Sequence, residues 1–472
     1  MTRLVAGVDS STQSCKVVVV DAVTGATVRE GRATHPDGTE VDPQHWWAAL
    51  QDAMAAAGGI DDCEAISIGG QQHGMVVLDL AGVVIRPALL WNDTRSAQAA
   101  ERIVEHFGVD WLLSETGSVP VASFTSTKLA WLAEAEPANA ARVAAVMLPH
   151  DWLSWRLAGY GASDSPLGPD FGAAWTDRSD ASGTGYFNPV TNAYLAPMID
   201  FCLGSDAAAR ITLPRVLGAA EVGGLVHGTG IAIGGGAGDN AGAAKGLGLV
   251  PGDAVVSIGT SGTVFAVAES PGTGAVEIAG FADADGRFLP LACTLNAAQV
   301  LEHFANQLGV DFAEFERLAL SAPVGSEGLM LLPFFQGERT PNLPDARASW
   351  HGITMTNFTP PNIARAAVEG ILLSLANALQ LFRDTGRTVR RVKLIGGAAE
   401  NLAVRKIAAG LFGGRIELPD KAEYVALGAA RQAAEALGLD PGCWQVDSEL
   451  VAATSYPKEI LERFRSLVDQ LT

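Results

Sequence analysis

Basic residues are scarce in this 472-residue chain: 32 Lys and Arg face 52 Asp and Glu, which gives a formal net charge of −20. A nucleic-acid backbone is bound by clustered cations that displace counterions, so this balance argues against a nucleic-acid partner. Nucleotides remain open as ligands, because backbone N–H groups and Mg²⁺ can hold their phosphates. With 48% hydrophobic residues, the length predicts two to three domains of roughly 100–200 residues each.

Cysteines and long apolar runs are also rare. The five cysteines are scattered, odd in number and without a CxxC pair, which favours a reducing compartment and predicts a cytoplasmic protein. No uncharged stretch of about 18 residues is typical of a membrane helix, so we expect no membrane partner. The eight histidines never lie three or four positions apart, and no Walker A, GxSxG or HExxH motif occurs.

The chain does contain a repeated hairpin pattern. β-branched residues flank a Ser/Thr-rich turn within residues 4–20, and the same plan recurs at 254–268. These two openings, about 250 residues apart, predict a mixed α/β protein with two related halves. We expect the domains to span 1–245 and 246–472.

Helices and irregular stretches are placed around these hairpins. Residues 93–107 and 401–412 have the apolar spacing of helices, and a Thr-Pro pair ending at Pro360 marks the start of a longer one. Residues 159–189 are rich in Gly, Ser, Asp and Pro and predict a surface excursion. The Gly-rich segment 223–238 predicts an irregular connection between the halves.

The most informative stretch is glycine-rich and covers residues 234–244. It leads into an Ala-rich helix whose first turn carries Asp239, where the helix N-terminus supplies positive potential. The carboxylate is either a helix cap or a group aimed at a substrate hydroxyl. Gly236, Gly238 and Ala241 also match a GxGxxA dinucleotide motif, so an NAD-dependent dehydrogenase is an alternative. That match is weak, because no acidic residue follows about 20 positions later.

Each hairpin turn offers hydroxyl and amide donors that suit phosphate oxygens. The first turn, 9–12, contains Asp9, a side chain able to hold Mg²⁺ through water, whereas the second, 259–263, has no carboxylate. A plain hairpin is the alternative for either turn alone. The pair, with a carboxylate in only one, favours a nucleotide cleft between two domains.

Two further loops carry polar groups next to predicted strands. Gln72 and His73 lie between two strand-like runs and offer donors and acceptors to a polyol substrate. The Gly396-Gly397-Ala398 turn leads to Asn401 and suits contact with a nucleotide base. A satisfied loop histidine and a simple turn are the respective alternatives.

Together these segments resemble the FGGY family of carbohydrate kinases over nearly the whole chain. The resemblance rests on motifs that occur in this order: AGVDSSTQSCKVVVVD, GGQQHGMVVLD, ALLWNDTRS, LPHDWLSWRLAG, TDRSDASGTGYFNP, GGAGDNAGAAKGLG, SIGTSGTVFAV and KLIGGAAENLAVRKIAAGLFG. Two of them, GGQQHG and TDRSDASGTG, are most similar to the kinases in this family that act on xylulose, as opposed to glycerol or gluconate.

The resemblance implies two actin-like domains of the ribonuclease-H type with a central active-site cleft. It implies ATP- and Mg²⁺-dependent phosphorylation of D-xylulose to D-xylulose 5-phosphate. Another ketose or a polyol, such as ribulose, is the nearest alternative, and an actin-like nucleotide switch is the alternative outside the enzymes. The implied partner is a small ketose, and a homodimer is left open.

The family pattern assigns roles to particular positions of this chain. Asp239 matches the catalytic base and Asp9 the metal site. The positions that match ketose-binding residues are Gln72, His73, Asp239 and Asn240. The positions that match nucleotide-binding residues are Ser11 and Thr12 in the first turn, Gly259, Thr260 and Ser261 in the second, and Gly397, Ala398 and Asn401 in the adenosine loop. Two positions depart from the family pattern, namely Gln72, where many relatives have Met, and Lys245, where an apolar or small residue is usual.

Overall fold

The computed structural model describes residues 2–271 and 275–471. The strands of its first half are β1 (Leu4–Ser10), β2 (Ser14–Asp21), β3 (Thr27–Thr34), β4 (Glu40–Val41), β5 (Cys63–Gly70), β6 (Val76–Leu78), β7 (Ala88–Leu89), β8 (Ala145–Met147), β9 (Trp175–Asp177), β10 (Phe187–Asn188), β11 (Ala193–Tyr194), β12 (Arg215–Leu217), β13 (Gly224–Leu225), β14 (Ala232–Ile233) and β15 (Ala237–Gly238). Its helices are α1 (Pro43–Ala56), α2 (Ala97–Phe107), α3 (Val109–Thr116), α4 (Thr125–Ala135), α5 (Pro137–Ala140), α6 (Pro149–Leu157), α7 (Arg178–Ser182), α8 (Ala196–Leu203), α9 (Ala207–Arg210) and α10 (Asp239–Gly246).

The second half begins after α10. Its strands are β16 (Asp253–Ile258), β17 (Gly262–Ala266), β18 (Ala279–Ala282), β19 (Phe288–Thr294), β20 (Met330–Leu332), β21 (Ser349–His351), β22 (Arg391–Ile395), β23 (Arg415–Pro419) and β24 (Ser448–Leu450). Its helices are α11 (Ala298–Leu308), α12 (Phe312–Ser321), α13 (Pro360–Asp384), α14 (Leu402–Leu411), α15 (Tyr424–Ala436) and α16 (Lys458–Val468).

A mixed sheet forms the centre of the first half. Its strands lie in the order β13-β14-β5-β1-β2-β3, and β15 pairs with the end of β5. β1, β2 and β3 are antiparallel, whereas β5 and β14 run parallel to β1. Both faces of β1 and β2 are apolar because the sheet is covered on both sides, by α1 and α6 on one face and by α15 on the other.

The second half repeats this plan. Its sheet has the order β18-β19-β17-β16-β22-β23-β24, in which β16, β17 and β19 are antiparallel while β22 and β23 run parallel to β16. Three antiparallel strands followed by two parallel ones therefore occur in both sheets. Both predicted hairpins are confirmed, as β1–β2 and β16–β17, and the halves are structural repeats.

Helix α10 of the first half packs against α15 of the second half, and glycines lie at their contact. A Cβ atom on Gly428 of α15 would lie 1.9 Å from the carbonyl oxygen of Gly242 in α10. A Cβ atom on Gly246 would lie equally close, 1.9 Å, to the carbonyl oxygen of Tyr424. Only glycine permits such a backbone approach. Because α15 also packs on β1 and β5, a helix of the second half completes the core of the first.

Two glycine- and serine-rich segments differ from the prediction. Residues 223–238 contain the two-residue strands β13, β14 and β15, which pair into the first sheet, so the stretch is irregular only between these strands. Within the predicted surface excursion, residues 162–173 are half-buried or exposed, but 174–188 are buried and form β9, α7 and β10. Small residues occur there because neighbours lie close: Gly223, for example, packs directly on the Trp175 ring.

The predicted helices are found with shifted ends. The helix expected over 93–107 begins at Ala97, after a turn, whereas the helices at Pro360 and after Asn401 begin as expected. No helix within residues 2–271 and 275–471 is long and apolar enough to cross a membrane. All five cysteines are free thiols. Lys245, on the last turn of α10, pairs with Asp285 and with the other helix through Glu435.

Candidate active site

Asp9 lies near the end of β1, opposite Lys16 on β2. Its buried carboxylate accepts a hydrogen bond from the Ser11 hydroxyl, and its other oxygen lies 3.7 Å from the Lys16 ammonium. Burial raises the pKa of Asp9, while Ser11 and Lys16 oppose that shift. The strand therefore delivers a carboxylate with spare acceptor capacity to the edge of the sheet.

Asp239 is the first residue of α10 and directly follows β15, which is aligned on the end of β5. Its Oδ1 accepts hydrogen bonds from the backbone N–H of Asn240 at 2.8 Å and from the Asn240 side chain at 2.9 Å. Burial and the nearby charge of Asp9 raise the pKa of Asp239 to about 7, against the opposing Asn240 bonds. A carboxylate that titrates near neutrality is suited to accept a proton.

Both carboxylates line one cavity of about 240 Å³. The other residues around it are Ser11, Lys16, Asn240, Ala243, Ser257, Thr263, Phe265, Ile395, Ala422, Glu423, Tyr424 and Val425. Lys16 spans this cavity, because its ammonium also lies 2.5 Å from Glu423 of the second half. The cavity therefore lies between the halves, with both hairpins and the start of α15 in its wall.

A second cavity, of about 390 Å³, adjoins the first and shares Ile395 and residues 422–424 with it. Gly397 of the predicted adenosine loop lines this cavity, and Ala398 lies in the same 3₁₀ turn. Asn401 is the N-cap of α14, since its side-chain oxygen accepts hydrogen bonds from the N–H groups of residues 403 and 404. The side-chain oxygen of Asn401 is therefore engaged in capping α14.

Of the predicted turn residues, Ser11 lines the first cavity, whereas Thr12, Gly259, Thr260 and Ser261 are not among its lining residues. Gly259, Thr260 and Ser261 form a tight turn closed by a 3.0 Å hydrogen bond from the Gly259 N–H to the Ser261 carbonyl. The residues of this hairpin that line the cavity are its strand positions Ser257 and Thr263. In the first turn, the Thr12 hydroxyl accepts a 2.9 Å hydrogen bond from the indole of Trp91.

Gln72 and His73 lie just after the end of β5. The Gln72 Oε1 accepts a 2.9 Å hydrogen bond from the Asn240 side chain, so one amide links Gln72 to Asp239. The structure thus brings Gln72, Asn240 and Asp239 into one hydrogen-bonded row. Because its Oε1 is used, Gln72 keeps its NH₂ group as a donor for a ligand.

His73 is held in a backbone conformation that L-residues rarely adopt, with φ of +68°. Its carbonyl accepts hydrogen bonds from the Lys128 ammonium at 2.8 Å and from the Thr125 hydroxyl at 3.2 Å, which fix this conformation. The imidazole stacks on Phe124 at 5.0 Å and contacts Phe281 of the second half at 5.6 Å. The ring is therefore enclosed by aromatic groups from both halves.

The protonation of His73 follows from these surroundings. Burial lowers its pKa to about 3, and the charge of Lys128 adds to the shift, so the imidazole is neutral at pH 7. Its Nδ1 lies 2.6 Å from the Gly183 carbonyl, which can only accept, so Nδ1 carries the proton. The Nε2 atom is then left as a hydrogen-bond acceptor.

The buried segment 177–184 positions both sides of this site. The Ser179 hydroxyl accepts a 3.1 Å hydrogen bond from the N–H of Gly238, the residue before Asp239. The Gly183 carbonyl holds His73, as described above. The Asp177 side chain caps α7 by accepting hydrogen bonds from the N–H groups of Ser179 and Asp180. This segment was predicted as surface, and its role was missed because glycine and serine are as common in tight buried turns as in loops.

The glycines of the GxGxxA motif are already engaged. The Gly236 N–H donates to the Gln432 side chain at 2.8 Å, and the Gly236 carbonyl accepts from the same amide at 2.8 Å. The Gly238 N–H is taken by Ser179. A pyrophosphate needs free N–H groups at these positions, so the dinucleotide alternative is wrong.

The two carboxylates of the 240 Å³ cavity suit a divalent cation that takes its other ligands from a nucleotide and from water. Among the described residues, no group of three or more His, Cys, Asp or Glu side chains could hold a metal ion. Mg²⁺ commonly uses one or two carboxylates together with phosphates and water. Asp9 and Asp239 supply those two carboxylates in one cavity.

Sequence reasoning found the two carboxylates and both hairpins, and it missed the residues supplied by distant segments. These are the aromatic pair around His73, Ser179, Gln432 and the start of α15 at 422–425. Lys16 also lines the cavity, between Asp9 and Glu423. No local pattern marks these positions, since each acts through contacts with residues that are distant in sequence.

Comparisons with known proteins agree with this architecture. Residues 4–246 match the N-terminal domain, and 254–437 the C-terminal domain, of the FGGY family of carbohydrate kinases. The chain is 43% identical to the xylulose kinase of Streptomyces rubiginosus, over 99% of this chain and 95% of that protein, and 44% identical to the xylulose kinase of Streptomyces coelicolor, over 91% and 87%. The crystal structure of xylulose kinase from Bifidobacterium adolescentis is similar with a TM-score of 0.92 and 44% identity, over 99% of both chains. With two domain matches and full-length relatives, this chain belongs to the FGGY family of carbohydrate kinases, ATP-dependent enzymes that phosphorylate sugars.

Proposed function

We propose that the enzyme transfers the terminal phosphoryl group of ATP to D-xylulose and forms D-xylulose 5-phosphate. One observation carries the proposal: Asp239, with a pKa raised to about 7, lines the same cavity as the Asp9 turn, and this cavity continues into the one at Gly397. An acceptor alcohol at Asp239 then faces a phosphate held at the hairpins. The choice of xylulose comes from the names of the full-length relatives.

The two halves divide the ligands between them in this proposal. Residues 1–245 bind the sugar through Gln72, His73 and Asn240 and contribute the first phosphate turn. Residues 246–472 bind the nucleotide, with the second turn near its phosphates and Gly397, Ala398 and Asn401 near its adenosine. Ser11 and Thr12 and, across the cavity, Gly259, Thr260 and Ser261 are the proposed phosphate neighbours.

Asp239 acts as the base for the acceptor hydroxyl. Phosphoryl transfer passes through a loose transition state, so orienting the alcohol matters more than full deprotonation before attack. Asn240 holds Oδ1 of Asp239, which leaves Oδ2 to accept the hydrogen bond of the alcohol. As the new P–O bond forms and the bond to the leaving ADP breaks, the hydroxyl proton moves to Asp239.

Asp9 and its neighbours manage the charge of the phosphates. Mg²⁺ carried by ATP neutralises charge on the transferred group when it is bound. Asp9 would hold that ion, directly or through water, and the Ser11 hydroxyl orients the Asp9 carboxylate. Lys16 lies within reach of both Asp9 and a phosphate oxygen, so it can donate to either.

The substrate is tested by measuring ATP-dependent phosphorylation across D-xylulose, L-xylulose, D-ribulose, L-ribulose, xylitol and glycerol. We expect the highest kcat/KM for D-xylulose and formation of the 5-phosphate. A clear preference for ribulose or a polyol contradicts the substrate but leaves the kinase class intact. Magnesium is tested in the same assay by titration with a chelator, which abolishes turnover if Mg²⁺ is required. A cytoplasmic location and a homodimer remain predictions.

A further inference from the structure

Arg339 belongs to the second half and reaches the sugar side of the first. Its guanidinium lies 3.5 Å from the hydroxyl of Ser123, the residue that precedes Phe124, whose ring stacks on His73. It also contacts the thiol of Cys293 on β19. The register of that strand pairs Cys293 with Thr263, a residue of the catalytic cavity. Arg339 therefore lies between the two halves, where it contacts the segment that carries Phe124.

The loop that carries Arg339 is firmly anchored. The buried Glu338 carboxylate accepts hydrogen bonds from the N–H groups of Leu295 and Arg339, both at 2.7 Å, and from Asn296 at 3.1 Å. The Asn296 amide also donates to the Gly337 carbonyl at 2.8 Å. These bonds hold the backbone of residue 339 against the end of β19. The guanidinium is thus presented from a fixed position.

No carboxylate lies within 4.0 Å of the Arg339 guanidinium in the part of the chain that the structure describes. Glu338, its neighbour, is turned toward backbone N–H groups instead. Arg339 is half-buried, and its guanidinium has five N–H donors and no acceptor; the contacts found for it are the Ser123 hydroxyl and the Cys293 thiol. Such a group has donor capacity available for an oxygen-rich ligand.

Arg339 could contact either the sugar or a phosphate, and the groups that feel its charge favour the sugar. The charge of Arg339 contributes to lowering the pKa of His73, behind burial and Lys128. The neighbouring charge that shifts the pKa of Asp239 is instead that of Asp9. The charge of Arg339 thus acts on the sugar-side imidazole of His73, whereas Asp9 and Asp239 mark the proposed point of phosphoryl transfer.

We propose that Arg339 is a specificity-determining residue that donates hydrogen bonds to the carbonyl end of the ketose. This inference rests on the proposed function and deepens it. On the sugar side, the acceptors are the His73 Nε2 and Asp239, which suit hydroxyl groups, and Arg339 adds donors beyond the Gln72 NH₂. A ketone oxygen only accepts hydrogen bonds, so it matches Arg339 better than a hydroxyl does.

The test compares Arg339→Met and Arg339→Lys with Arg347→Met, a matched change in the same loop at an exposed arginine that bonds only carbonyls of its own segment. We expect Arg339→Met to raise the KM for D-xylulose roughly 10- to 100-fold, the loss of a hydrogen bond to a charged group, with kcat little changed. The inhibition constant of xylitol, which lacks the carbonyl, should change much less. Arg339→Lys should recover part of the affinity, and Arg347→Met should behave as wild type.

Three outcomes overturn the proposal. An unchanged KM for the ketose in both Arg339 variants rules out the contact, and a fall in kcat at constant KM assigns Arg339 to the phosphoryl group. Equal weakening of D-xylulose and xylitol removes the link to the carbonyl. If both variants lose their cooperative thermal transition, Arg339 is a folding residue and the proposal fails. If wild type prefers another ketose, the same comparison is made with that ketose and its reduced polyol, so failure of the substrate assignment stays separate.

Discussion

The two hairpins of this molecule share a backbone but differ in charge. In the first, Asp9 faces Lys16 across β1 and β2; in the second, Ser257 faces Thr263 across β16 and β17. All four side chains line the same cavity. A charged pair thus stands where its structural repeat has two hydroxyls. The comparison shows that the repeated sheet supplies position, whereas the side chain at that position decides between holding a cation and donating to phosphate.

The asymmetry extends to Asp239. Its pKa is raised partly by the charge of Asp9, which the second hairpin does not carry. The first half therefore holds two neighbouring carboxylates, and the second hairpin offers neutral hydroxyl groups to the same cavity, where Glu423 of the second half pairs with Lys16. A nucleotide bound between them meets a metal-binding side and a hydrogen-bonding side.

The largest effect is expected for Asp239→Asn. The change removes the base while keeping the size of the side chain, so kcat should fall by about 10³-fold, within the range of general-base catalysis, with the ketose KM little changed. Steady-state kinetics measures both quantities. Turnover near that of wild type would remove Asp239 from this role.

Thermal unfolding serves as the control for Asp239→Asn. The folded-state pKa of Asp239 is raised from 3.8 to about 7, so the folded protein binds this proton more tightly than the unfolded chain. The contribution to stability is therefore greatest below pH 3.8 and is lost as the pH rises to about 7. Asparagine has no charged form whose burial is unfavourable at high pH. The Tm of the variant at pH 8 should therefore equal or exceed that of wild type.

The equivalent positions of the two hairpins are compared by Asp9→Asn and Ser257→Ala. Loss of the charged group should lower kcat on the order of 10²- to 10³-fold, as for other lost electrostatic contacts to a transition state, and weaken the response to Mg²⁺. Loss of the Ser257 hydroxyl should lower kcat roughly tenfold or less, since one neutral hydrogen bond is involved. Equal losses in a magnesium titration of both variants would contradict the asymmetry.

The glycine contact between the halves is tested by Gly428→Ala. The added Cβ meets the Gly242 carbonyl at 1.9 Å, so α10 and α15 must move apart, and the free energy of unfolding should fall by about 1–3 kcal/mol or more. The control is Gly230→Ala, where a Cβ meets no atom within 4 Å. Urea denaturation of both variants measures the difference, and matching midpoints would mean that the helices do not approach so closely.

A smaller effect is expected from two serines of α7 that contact different halves. Ser179 accepts a hydrogen bond from Gly238 beside Asp239, whereas Ser182 accepts one at 3.0 Å from Ala282 on β18. Ser179→Ala should lower kcat roughly tenfold because it releases the strand before the base. Ser182→Ala should lower the free energy of unfolding by about 1 kcal/mol, the usual contribution of one hydrogen bond, and leave kcat unchanged. Equal kcat values in the two variants would contradict a positioning role for Ser179.

Local pattern was enough to predict the duplicated hairpins, the helix at Pro360 and the carboxylate at Asp239. Each of these depends on neighbours in sequence: β-branched strands around a polar turn, a Thr-Pro helix start, and glycines before a helix. The two turns predicted a cleft between domains, and the resemblance to the carbohydrate kinases then assigned Asp9 and Asp239 to one active site. The short-range signal and the fold agree at these positions.

The parts that could not be predicted depend on contacts between distant residues. Segment 177–184 has the composition of a loop, and it is buried because its hydroxyl and carbonyl groups bond to Gly238 and His73. Gln432 has no local signature either, yet its amide holds both polar groups of the Gly236 peptide from another helix. Composition measures local preference, and it carries no information on which partner a polar group will find.

The pH dependence of kcat/KM tests the assignment of Asp239 most directly. Measured for D-xylulose at low ATP, so that the free enzyme titrates, the activity should fall as the pH drops through about 7, because protonation removes the base. Saturating Mg²⁺ and ATP should move this limb to lower pH, since a cation at Asp9 offsets the charge that raises the pKa of Asp239. The residual activity of Asp239→Asn should lack the limb. A wild-type profile that stays flat from pH 5.5 to 8, or an unchanged limb in Asp239→Asn, would contradict the role of Asp239 as the base.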